Sequence, residues 1–439
     1  MSENQTNWSG NYLYSAERWH FPETVAQVQE VVVSCTKLRA VGTRHSFNGI
    51  ADSTHDMVSL ERCDRVLTLD RAQRTVTVEA GIRYGQLARY LHAEGYALHN
   101  LASLPHISLA GACATATHGS GVGNGNLATA VAAMEIVTAN GQCVELSRAE
   151  DGEKFLGAVV GLGGLGVVTK LTLDIVPTFS LRQDVYENLP MEELADHFDD
   201  IVGSAYSVSL FTDWRSERFN QWWLKSIVPE SETLPESPAG KVSPSAQGGR
   251  SNVSLPAKER YGATLATAPR HPLAGLSAES CTEQGGAPGP WHERLPHFRM
   301  DFTPSAGEEL QSEYFVPHRL GCEALRALAG LRERIAPLLQ VSEIRTVAAD
   351  NLWMSPCYRQ ASVALHFTWL KDWPGVKALL PQIEEALAPF DARPHWGKLF
   401  TMPPDRLQAL YPKLPEFRRL LHAFDPDGKF RNAYLETLY

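Results

Sequence analysis

The sequence lacks the features that mark disulfide-stabilised, metal-binding and membrane-spanning proteins. Its seven cysteines are odd in number, lie far apart between Cys35 and Cys357, and include no Cys-x-x-Cys pair. That pattern indicates neither a disulfide framework nor a zinc site, so we expect buried, reduced thiols and no bound metal. The chain also lacks an uninterrupted apolar run of the roughly 18 residues needed to span a bilayer.

Positive charge is scarce as well. The 40 lysines and arginines are outnumbered by 50 aspartates and glutamates, which gives a formal net charge of -10. Since no basic stripe is available to displace counterions from a phosphate backbone, we do not expect nucleic acid as a partner. The polar stretch from Met1 to Asn7 lacks the basic start and the apolar core of a secretory signal, so we expect a cytoplasmic location.

The patterns that are present belong to a mixed helix and sheet protein. At 439 residues the chain exceeds the usual size of one domain. Apolar spacing predicts a helix over 24–35 that leads into a strand over 38–41, and Asn140-Gly141 between two strand patterns predicts a hairpin. Further strands are predicted at 66–69, 75–78, 167–176, 313–315, 341–347 and 362–369, and further helices at 84–94, 322–335 and 376–387. We therefore predict an α+β fold.

One segment has no such periodicity. Between Pro229 and Pro256 the chain is rich in proline, serine and glycine. This composition predicts a mobile surface loop, and the sequence leaves open whether the loop covers a binding site.

Three glycine-rich stretches are candidates for cradling a phosphate: the turn at Gly42, residues 111–125 and residues 161–166. Residues 161–166 imitate a dinucleotide-binding fingerprint, but that fingerprint follows a strand and opens a helix, whereas this stretch leads into a predicted strand. We therefore do not expect a nicotinamide site. The small and hydroxylated residues of 101–121 would let backbone amides approach a diphosphate closely, although a packing seam would have the same composition.

Four polar residues on two predicted strands form a second candidate site. Because side chains alternate along a strand, Glu343 and Arg345 share one face, and so do His366 and Thr368. A carboxylate, a guanidinium, an imidazole and a hydroxyl gathered in this way would offer a desolvated polyol both donors and acceptors. The alternative is a surface ion pair between Glu343 and Arg345 beside two solvated positions.

These motifs occur together in a known family. In chain order they are Asn7-Trp8-Ser9-Gly10-Asn11, Gly42-Thr43-Arg44-His45-Ser46-Phe47-Asn48, Leu104-Pro105-His106-Ile107-Ser108, Thr117-His118-Gly119-Ser120-Gly121 and His395-Trp396-Gly397-Lys398. Through them the chain resembles, nearly end to end, the alditol oxidases of the xylitol oxidase kind. These enzymes belong to the vanillyl-alcohol oxidase, or p-cresol methylhydroxylase, flavoprotein superfamily.

The resemblance implies a domain organisation. It implies a p-cresol methylhydroxylase-type FAD-binding domain over 1–178 and an α+β substrate-binding cap domain with an antiparallel sheet over 179–408. A C-terminal segment over 409–439 is expected to return to the FAD domain. The sequence does not fix the oligomeric state, and a monomer is compatible with it.

The resemblance also implies FAD attached covalently through His45. The other positions that match FAD contacts are Val41, Gly42, Thr43, Arg44, Ser46, Ser103, Ser108, Gly111, Thr115, Ala116, Thr117, His118, Val168 and the flavin-facing His395. Arg44 stands where many members of the family carry glycine. Its side chain is therefore expected to point away from the flavin ring or onto a phosphate.

The implied activity is oxidation of the terminal primary hydroxyl of an alditol, such as xylitol or sorbitol, to the aldose, with O2 reduced to H2O2. The positions that match the substrate pocket are Ser103, Glu343, Arg345, Thr368 and Lys398. We expect Arg345 and Lys398 to stabilise developing negative charge. We expect His366 to act as the base, since an unperturbed imidazole titrates near neutrality, with a buried lysine as the alternative base. The alternative function is an aldonolactone oxidase or dehydrogenase of the gulono- or arabinono-lactone type, and the preferred alditol length is left open.

Overall fold

The computed structural model describes residues 6–229, 256–302 and 307–439, so the loop predicted between Pro229 and Pro256 lies almost wholly outside the described residues. Numbered along the chain, the strands are β1 (Arg18–His20), β2 (Leu38–Val41), β3 (Asp56–Ser59), β4 (Val66–Asp70), β5 (Thr75–Glu79), β6 (Tyr96–Ala97), β7 (Val131–Val137), β8 (Cys143–Ser147), β9 (Val167–Asp174), β10 (Val176–Pro177), β11 (Ser180–Pro190), β12 (Ser207–Thr212), β13 (Arg218–Val228), β14 (Glu259–Arg260), β15 (Ala263–Leu265), β16 (Gly289–Pro290), β17 (Glu309–Pro317), β18 (Leu339–Val347), β19 (Ser362–Leu370) and β20 (Arg393–Pro394). The α helices are α1 (Val25–Ser34), α2 (Tyr84–Ala93), α3 (Leu109–Ala114), α4 (Arg148–Val159), α5 (Leu194–Val202), α6 (Gly321–Ala329), α7 (Arg332–Ile335), α8 (Trp373–Ala386), α9 (Pro404–Ala409), α10 (Leu414–Phe424) and α11 (Ala433–Glu436). Within the described ranges, none of these helices is both long and apolar enough to cross a membrane.

The first part of the chain builds small sheets. β1, β3 and β2 pair in parallel in that order, and β4, β5, β9, β7 and β8 form a five-stranded antiparallel sheet. The predicted first helix is confirmed as α1, which begins after Thr24 because the threonine hydroxyl accepts a hydrogen bond from the Gln27 N–H at 3.2 Å. The predicted hairpin is also confirmed, since β7 pairs with β8 and Gly141 has a φ of +82°.

The second part builds one large antiparallel sheet. Its strands lie in the order β14, β15, β11, β13, β12, β18, β19, β17 and β20, and β16 also pairs with β11. One face of the sheet carries apolar side chains, among them Leu365, Phe367 and Trp369, that share a core with α5, α6 and α8. Burial of that face against the helices stabilises the sheet, and the opposite face is left to line a cavity. The predicted α+β fold, with an antiparallel sheet in its second half, is confirmed.

One predicted helix is interrupted. The run predicted over 322–335 forms two helices, α6 and α7, because α6 ends at Ala329 and Gly330 is its C-cap. Glycine is unfavourable inside a helix and common where a helix ends, so the break falls at the one glycine of this run.

The end of the chain returns to its beginning. The Asn48 side-chain amide donates to the Lys398 carbonyl at 2.8 Å, and the Asn432 side-chain amide donates to the Asp52 carbonyl at 2.8 Å. The residues near position 50 are therefore held by residues that lie hundreds of positions later. The domain boundary predicted at residue 178 falls between β10 and β11, and the boundaries themselves stay predictions.

The cysteines form no disulfide. Five are buried, as expected, but Cys143 is exposed and Cys322 is half-buried, so the expectation of burial is wrong for these two. Cys143 begins β8, an edge strand of the five-stranded sheet.

Within the described ranges, one group of potential metal ligands lies close together: His20, Cys35 and Asp56. Arg18 donates to both carboxylate oxygens of Asp56 at 2.8 Å. The Asp56 carboxylate therefore already has a bidentate cationic partner in Arg18. We interpret this cluster as a structural ion pair.

Candidate active site

A large cavity lies between the first part of the chain and the ten-stranded sheet. It contains about 1720 Å³ of space, part of it open to solvent. The turn after β2 forms one wall, the small-residue segment between residues 102 and 118 forms the second, and one face of the sheet forms the third. Because these walls come from distant parts of the sequence, the site exists only in the folded chain.

The turn after β2 is anchored to the segment before α3. Gly42 lies so close to Ser108 that an added Cβ would meet Ser108 Oγ at 2.1 Å. The Thr43 hydroxyl accepts a hydrogen bond from the Ser108 N–H at 3.1 Å and contacts His45 Nδ1 at 3.0 Å. Glycine at position 42 therefore permits the close approach, and Thr43 orients the ring of His45.

His45 carries an unpartnered nitrogen at the cavity wall. Its ring stacks on Trp8 at a centroid distance of 5.3 Å, and its Nε2 is buried without a hydrogen-bond partner. Burial, with a smaller contribution from the charge of His106, lowers the pKa of His45 to about 4. The imidazole is therefore neutral at pH 7 and keeps a nitrogen lone pair.

Residues near the N-terminus brace the same turn. The Trp8 N–H donates to the Arg44 carbonyl at 2.8 Å, and the Asn7 side-chain amide donates to the Ser46 carbonyl at 3.0 Å. These contacts fix the backbone on both sides of His45, so the imidazole is presented by a turn that is tied down at several points.

The sheet wall is built from three neighbouring strands. The register places Glu343 of β18 and Glu313 of β17 on either side of His366 of β19. The alternate residues that line the cavity are Glu309, Gln311 and Glu313 of β17, Val341, Glu343 and Arg345 of β18, and His366 and Thr368 of β19. Glu343 and Arg345 are each only 6% exposed, so the alternative of a surface ion pair is wrong.

Glu313 is a residue of this wall that the sequence analysis missed. Its carboxylate accepts from Arg345 Nη2 at 2.7 Å and from Lys398 Nζ at 2.6 Å, and lies 3.2 Å from His118 Nε2. Burial alone would raise the pKa of this fully buried carboxyl, but Lys398, His118 and Arg345 hold the pKa well below its usual range. Glu313 is therefore an anion that fixes two cations of the site.

Lys398, His366 and Thr368 form a connected row. Lys398 Nζ lies 2.8 Å from His366 Nδ1, and His366 Nε2 lies 3.1 Å from the Thr368 hydroxyl. Burial, followed by the charge of Lys398, lowers the pKa of His366 to about 4. Burial also lowers the pKa of Lys398, against the opposing effect of Glu313.

A second missed residue, His297, lies beside Glu343. His297 Nε2 is 2.7 Å from Glu343 Oε1, and both side chains line the cavity. Arg345 Nη1 lies 3.4 Å from the Ser103 hydroxyl, which connects the sheet wall to the small-residue wall. His297 lies outside any predicted strand or motif, so no local signal in the sequence pointed to it, whereas Glu313 stands within a predicted strand and alternation alone could have singled it out.

The structure brings together all but two of the residues predicted for the site. Those that line the cavity are Val41, Gly42, Thr43, Arg44, His45, Ser46, Ser103, Ser108, Gly111, Thr115, Thr117, His118, Glu343, Arg345, His366, Thr368, His395 and Lys398. Ala116 and Val168 are not among the lining residues: Ala116 is buried with a φ of +54°, and Val168 packs in β9.

Comparisons with known proteins agree with this geometry. Residues 17–147 match the FAD binding domain family, and residues 306–438 match the D-arabinono-1,4-lactone oxidase family. An alditol oxidase from a Streptomyces species is 46% identical over 441 residues, which cover 100% of this chain and 99% of that protein. The chain belongs to the alditol oxidase family. As a member of that family with an FAD-binding domain, it is an FAD-linked oxidoreductase.

More distant relatives of this alditol oxidase family member include L-gulono-1,4-lactone dehydrogenase of Mycobacterium tuberculosis, which is 28% identical over 448 residues, covering 99% of this chain and 98% of that protein. Among solved structures, cholesterol oxidase from B. sterolicum has a TM-score of 0.75 at 14% identity, covering 99% of this chain and 96% of its own. A chitooligosaccharide oxidase has a TM-score of 0.72 at 15% identity, covering 98% and 93%. The two solved structures show that the chain shares their overall fold.

The residues of this family member fit FAD. The small side chains of Gly111, Thr115 and Thr117 line the cavity and leave room for a large ligand, and the buried Nε2 of His45 has no partner within the protein. The glycine-rich stretch 161–166 follows α4 and leads into β9, as predicted, so it is not a strand-turn-helix nicotinamide motif. Two of its residues, Leu162 and Gly163, nevertheless line the cavity.

The backbone of Arg44 has a conformation that few residues other than glycine adopt. Its φ is +62°, in the left-handed region where glycine is favoured. Its positive charge acts on Tyr14, where it opposes the rise in pKa that burial causes, and it also contributes to the lowered pKa of His45.

Proposed function

We propose that this protein catalyses the FAD-dependent oxidation of the terminal primary hydroxyl of alditols, such as xylitol and sorbitol, to the aldose, with O2 reduced to H2O2. The alcohol loses two electrons and two protons, and O2 takes up the two electrons and the two protons to form H2O2. The observation that carries the proposal is a set of polar side chains that line one cavity: Glu343, Arg345, His366 and Thr368, which are buried, and Lys398, which is partly buried. The identity of 46% to an alditol oxidase supports the same substrate class.

The composition of the wall suits a polyol. Each hydroxyl of a desolvated polyol needs a donor and an acceptor, and an unmet need costs about 1 to 3 kcal/mol per group. Glu343 supplies an acceptor, Arg345 supplies donors, and Ser103 and Thr368 supply hydroxyls that do both. We propose that Glu343 and Ser103 hold the distal hydroxyls and that Thr368 positions the carbon chain.

We assign the reacting end of the substrate to the two cations of the site, Arg345 and Lys398. FAD, when bound, accepts the hydride and passes the electrons to O2. Arg345 and Lys398 stabilise the negative charge that develops on the alcohol oxygen, which is commonly the largest contribution in such a site. Glu313 holds both cations in position through contacts of 2.7 and 2.6 Å.

His366 is the proposed base, acting together with Lys398. The lowered pKa of about 4 keeps the imidazole neutral at pH 7, and the 2.8 Å contact lets a proton move from Lys398 to Nδ1, so that the pair together can accept the alcohol proton. H366A is therefore expected to lower the rate of flavin reduction about 10²- to 10⁴-fold, the usual contribution of a general base. Anaerobic stopped-flow measurement with xylitol gives this rate directly.

The pH profile is the companion measurement. Because the pKa of His366 is lowered, the neutral form dominates above pH 4, so the rate should hold at neutral pH and fall as the pH drops toward 4. T368V, which removes the hydroxyl beside His366 Nε2 and keeps the imidazole, is the matched control and should change KM more than the rate. A rate for H366A within a few fold of wild type would exclude His366 as the base and leave Lys398.

We further propose that FAD is attached covalently through His45. Such a bond would join a ring nitrogen of His45 to the flavin 8α-methyl carbon, with one hydrogen lost from each partner and O2 as the two-electron oxidant that takes up both. The neutral, oriented imidazole with a buried, unpartnered Nε2 supports this assignment. A protonated imidazole could not form the bond.

A substrate test must distinguish alditol oxidation from the alternative function, the oxidation of an aldonolactone. Residues 306–438 match a lactone oxidase family, and lactone-oxidising relatives are 28% identical or less over the full chain. Purified holoenzyme is incubated with xylitol, sorbitol, glycerol or L-gulono-1,4-lactone, and H2O2 is measured. We expect H2O2 from xylitol and sorbitol with a kcat/KM well above that for the lactone. The reverse order overturns the proposed substrate class.

A further inference from the structure

A buried lysine lies behind Glu343, outside the cavity wall. Lys225 projects from β13 and is 1% exposed. Its Nζ donates to the Leu295 carbonyl at 2.5 Å and to the Pro296 carbonyl at 3.1 Å, and lies 3.0 Å from His297 Nδ1. All three partners can accept a hydrogen bond, and an ammonium has three N–H groups to give.

The third contact determines where His297 carries its proton. With an ammonium donating to Nδ1, that nitrogen must be the acceptor, so the single proton of the neutral ring resides on Nε2. Burial, followed by the charge of Lys225, lowers the pKa of His297 to about 4, which keeps the ring neutral. The Nε2–H then donates to Glu343 Oε1 across 2.7 Å.

The opposite tautomer would disrupt the wall. With the proton on Nδ1, the lone pair of Nε2 would face the lone pairs of Glu343 Oε1 at 2.7 Å, and the carboxylate would have to move away. The aromatic neighbours of the ring within the described residues are Phe211, Trp223 and Phe298, at centroid distances of 5.6, 5.2 and 6.5 Å, and they cannot set the tautomer. Glu343 therefore requires the proton on Nε2, and the Lys225 ammonium is the donor that keeps Nδ1 unprotonated.

We propose that Lys225 is a positioning residue for substrate recognition: its ammonium fixes the proton of His297 on Nε2, so that His297 holds Glu343 Oε1 and leaves Oε2 to accept from a polyol hydroxyl. Oε2 lies 3.5 Å from Arg345 Nε, which makes no hydrogen bond, so Oε2 retains lone pairs for a ligand. The inference rests on the proposed function, in which Glu343 binds the distal end of the substrate.

Two features give the inference a chemical consequence. An anionic Glu343 held in this orientation favours neutral hydroxyls and repels a carboxylate, so the distal end should admit an alditol and reject an aldonate. The charged state of Lys225 matters as well. Burial lowers the pKa of Lys225 to about 7. Glu343 and Cys281 act to raise this pKa, and the nearby charge of Arg345 acts to lower it. The lysine charge needed for the arrangement is therefore present below that pH and is lost as the pH rises through it.

The deciding experiment measures K225M in two backgrounds. In the presence of His297, K225M is expected to raise KM for xylitol about tenfold, the effect of losing one hydrogen bond to a charged group, with kcat within about twofold. In H297Q, the amide places an N–H near the position of Nε2 and needs no lysine to orient its proton, so adding K225M should change KM little.

The outcomes separate the proposal from its rival, in which Lys225 only ties down the carbonyls of Leu295 and Pro296. That structural role predicts the same KM ratio for K225M in both backgrounds, and such a result overturns the inference. An unchanged KM for K225M with His297 present also overturns it. If the wild-type holoenzyme oxidises no alditol, the proposed function is wrong, and that result is distinct from a failure of the positioning role proposed for Lys225.

A measurement on the wild-type holoenzyme covers the case in which K225M does not fold. ¹⁵N NMR of histidine-labelled protein distinguishes a protonated from an unprotonated ring nitrogen, with H297Q used to assign the His297 signals. We expect Nε2 protonated and Nδ1 unprotonated at pH 6. Finding Nδ1 protonated in the wild type would overturn the inference without any variant of Lys225.

Discussion

E313Q is expected to lower kcat/KM for xylitol about 10²- to 10³-fold and to destabilise the fold by about 3 to 5 kcal/mol, the usual effect of leaving buried charges unpaired. Glu313 is fully buried between Arg345 and Lys398, with His118 at 3.2 Å. A neutral amide of the same shape cannot compensate two cations, so both would turn toward other partners or lose their charge. Steady-state kinetics and urea unfolding measure the two effects.

The pH dependence of the free energy of unfolding provides a second test of the role of Glu313. Because the pKa of Glu313 is depressed in the folded state, its stabilisation is present above the ordinary carboxyl pKa of about 4.3 and is lost as the pH falls through the folded value. Wild type should therefore lose stability on acidification by more than E313Q does. Equal acid sensitivity in the two proteins would contradict the assignment.

E384Q is the matched control for a buried carboxylate. Glu384 of α8 is 4% exposed and accepts from the uncharged Tyr314 hydroxyl at 2.9 Å and the Thr401 hydroxyl at 2.8 Å, away from the cavity. Its replacement should lower stability by about 1 to 3 kcal/mol with little change in KM or kcat. A comparable loss of activity in E384Q would mean that E313Q acts through general destabilisation.

H45A is expected to abolish covalent flavin. After acid precipitation, wild type should give a yellow, fluorescent pellet, whereas H45A should release all of its flavin into the supernatant. The physical reason is that His45 combines a neutral ring, an orientation set by Thr43 and a buried Nε2 without a partner. Flavin absorbance of pellet and supernatant is the readout.

H106A is the companion control for this experiment. His106 lies in the neighbouring small-residue segment and its charge acts on His45, but its Nε2 contacts the Met300 carbonyl at 2.9 Å and it does not line the cavity. The flavin of H106A should stay in the pellet. Flavin retained by H45A, or released by wild type, would refute attachment through His45.

Local patterns in the sequence were sufficient where the physics is local. Strand alternation placed Glu343 with Arg345 and His366 with Thr368, and the structure puts all four on one wall. Apolar spacing likewise predicted α1, and turn chemistry predicted the hairpin between β7 and β8. The family resemblance then supplied what alternation cannot, which is the link between these strands and the turn that carries His45.

Local sequence patterns could not predict contacts that depend on the register between distant segments. Glu313 gains its importance only because β19 pairs with β17 on one side and β18 on the other. The role inferred for Lys225 depends on its contact with His297 Nδ1, which no periodicity reveals. Such residues are found when the sheet order and the burial of each side chain are known.

The return of the C-terminal residues to the turn at residue 48 constrains when the enzyme becomes complete during synthesis. Asn48 and Asp52 are translated well before their partners Lys398 and Asn432, which lie 350 and 380 positions later. A nascent chain therefore cannot hold the turn of His45 in its final shape. The covalent attachment that we propose for His45 would therefore follow the synthesis of Lys398 and Asn432, and a translation product that stops before them would lack the contacts that hold the turn.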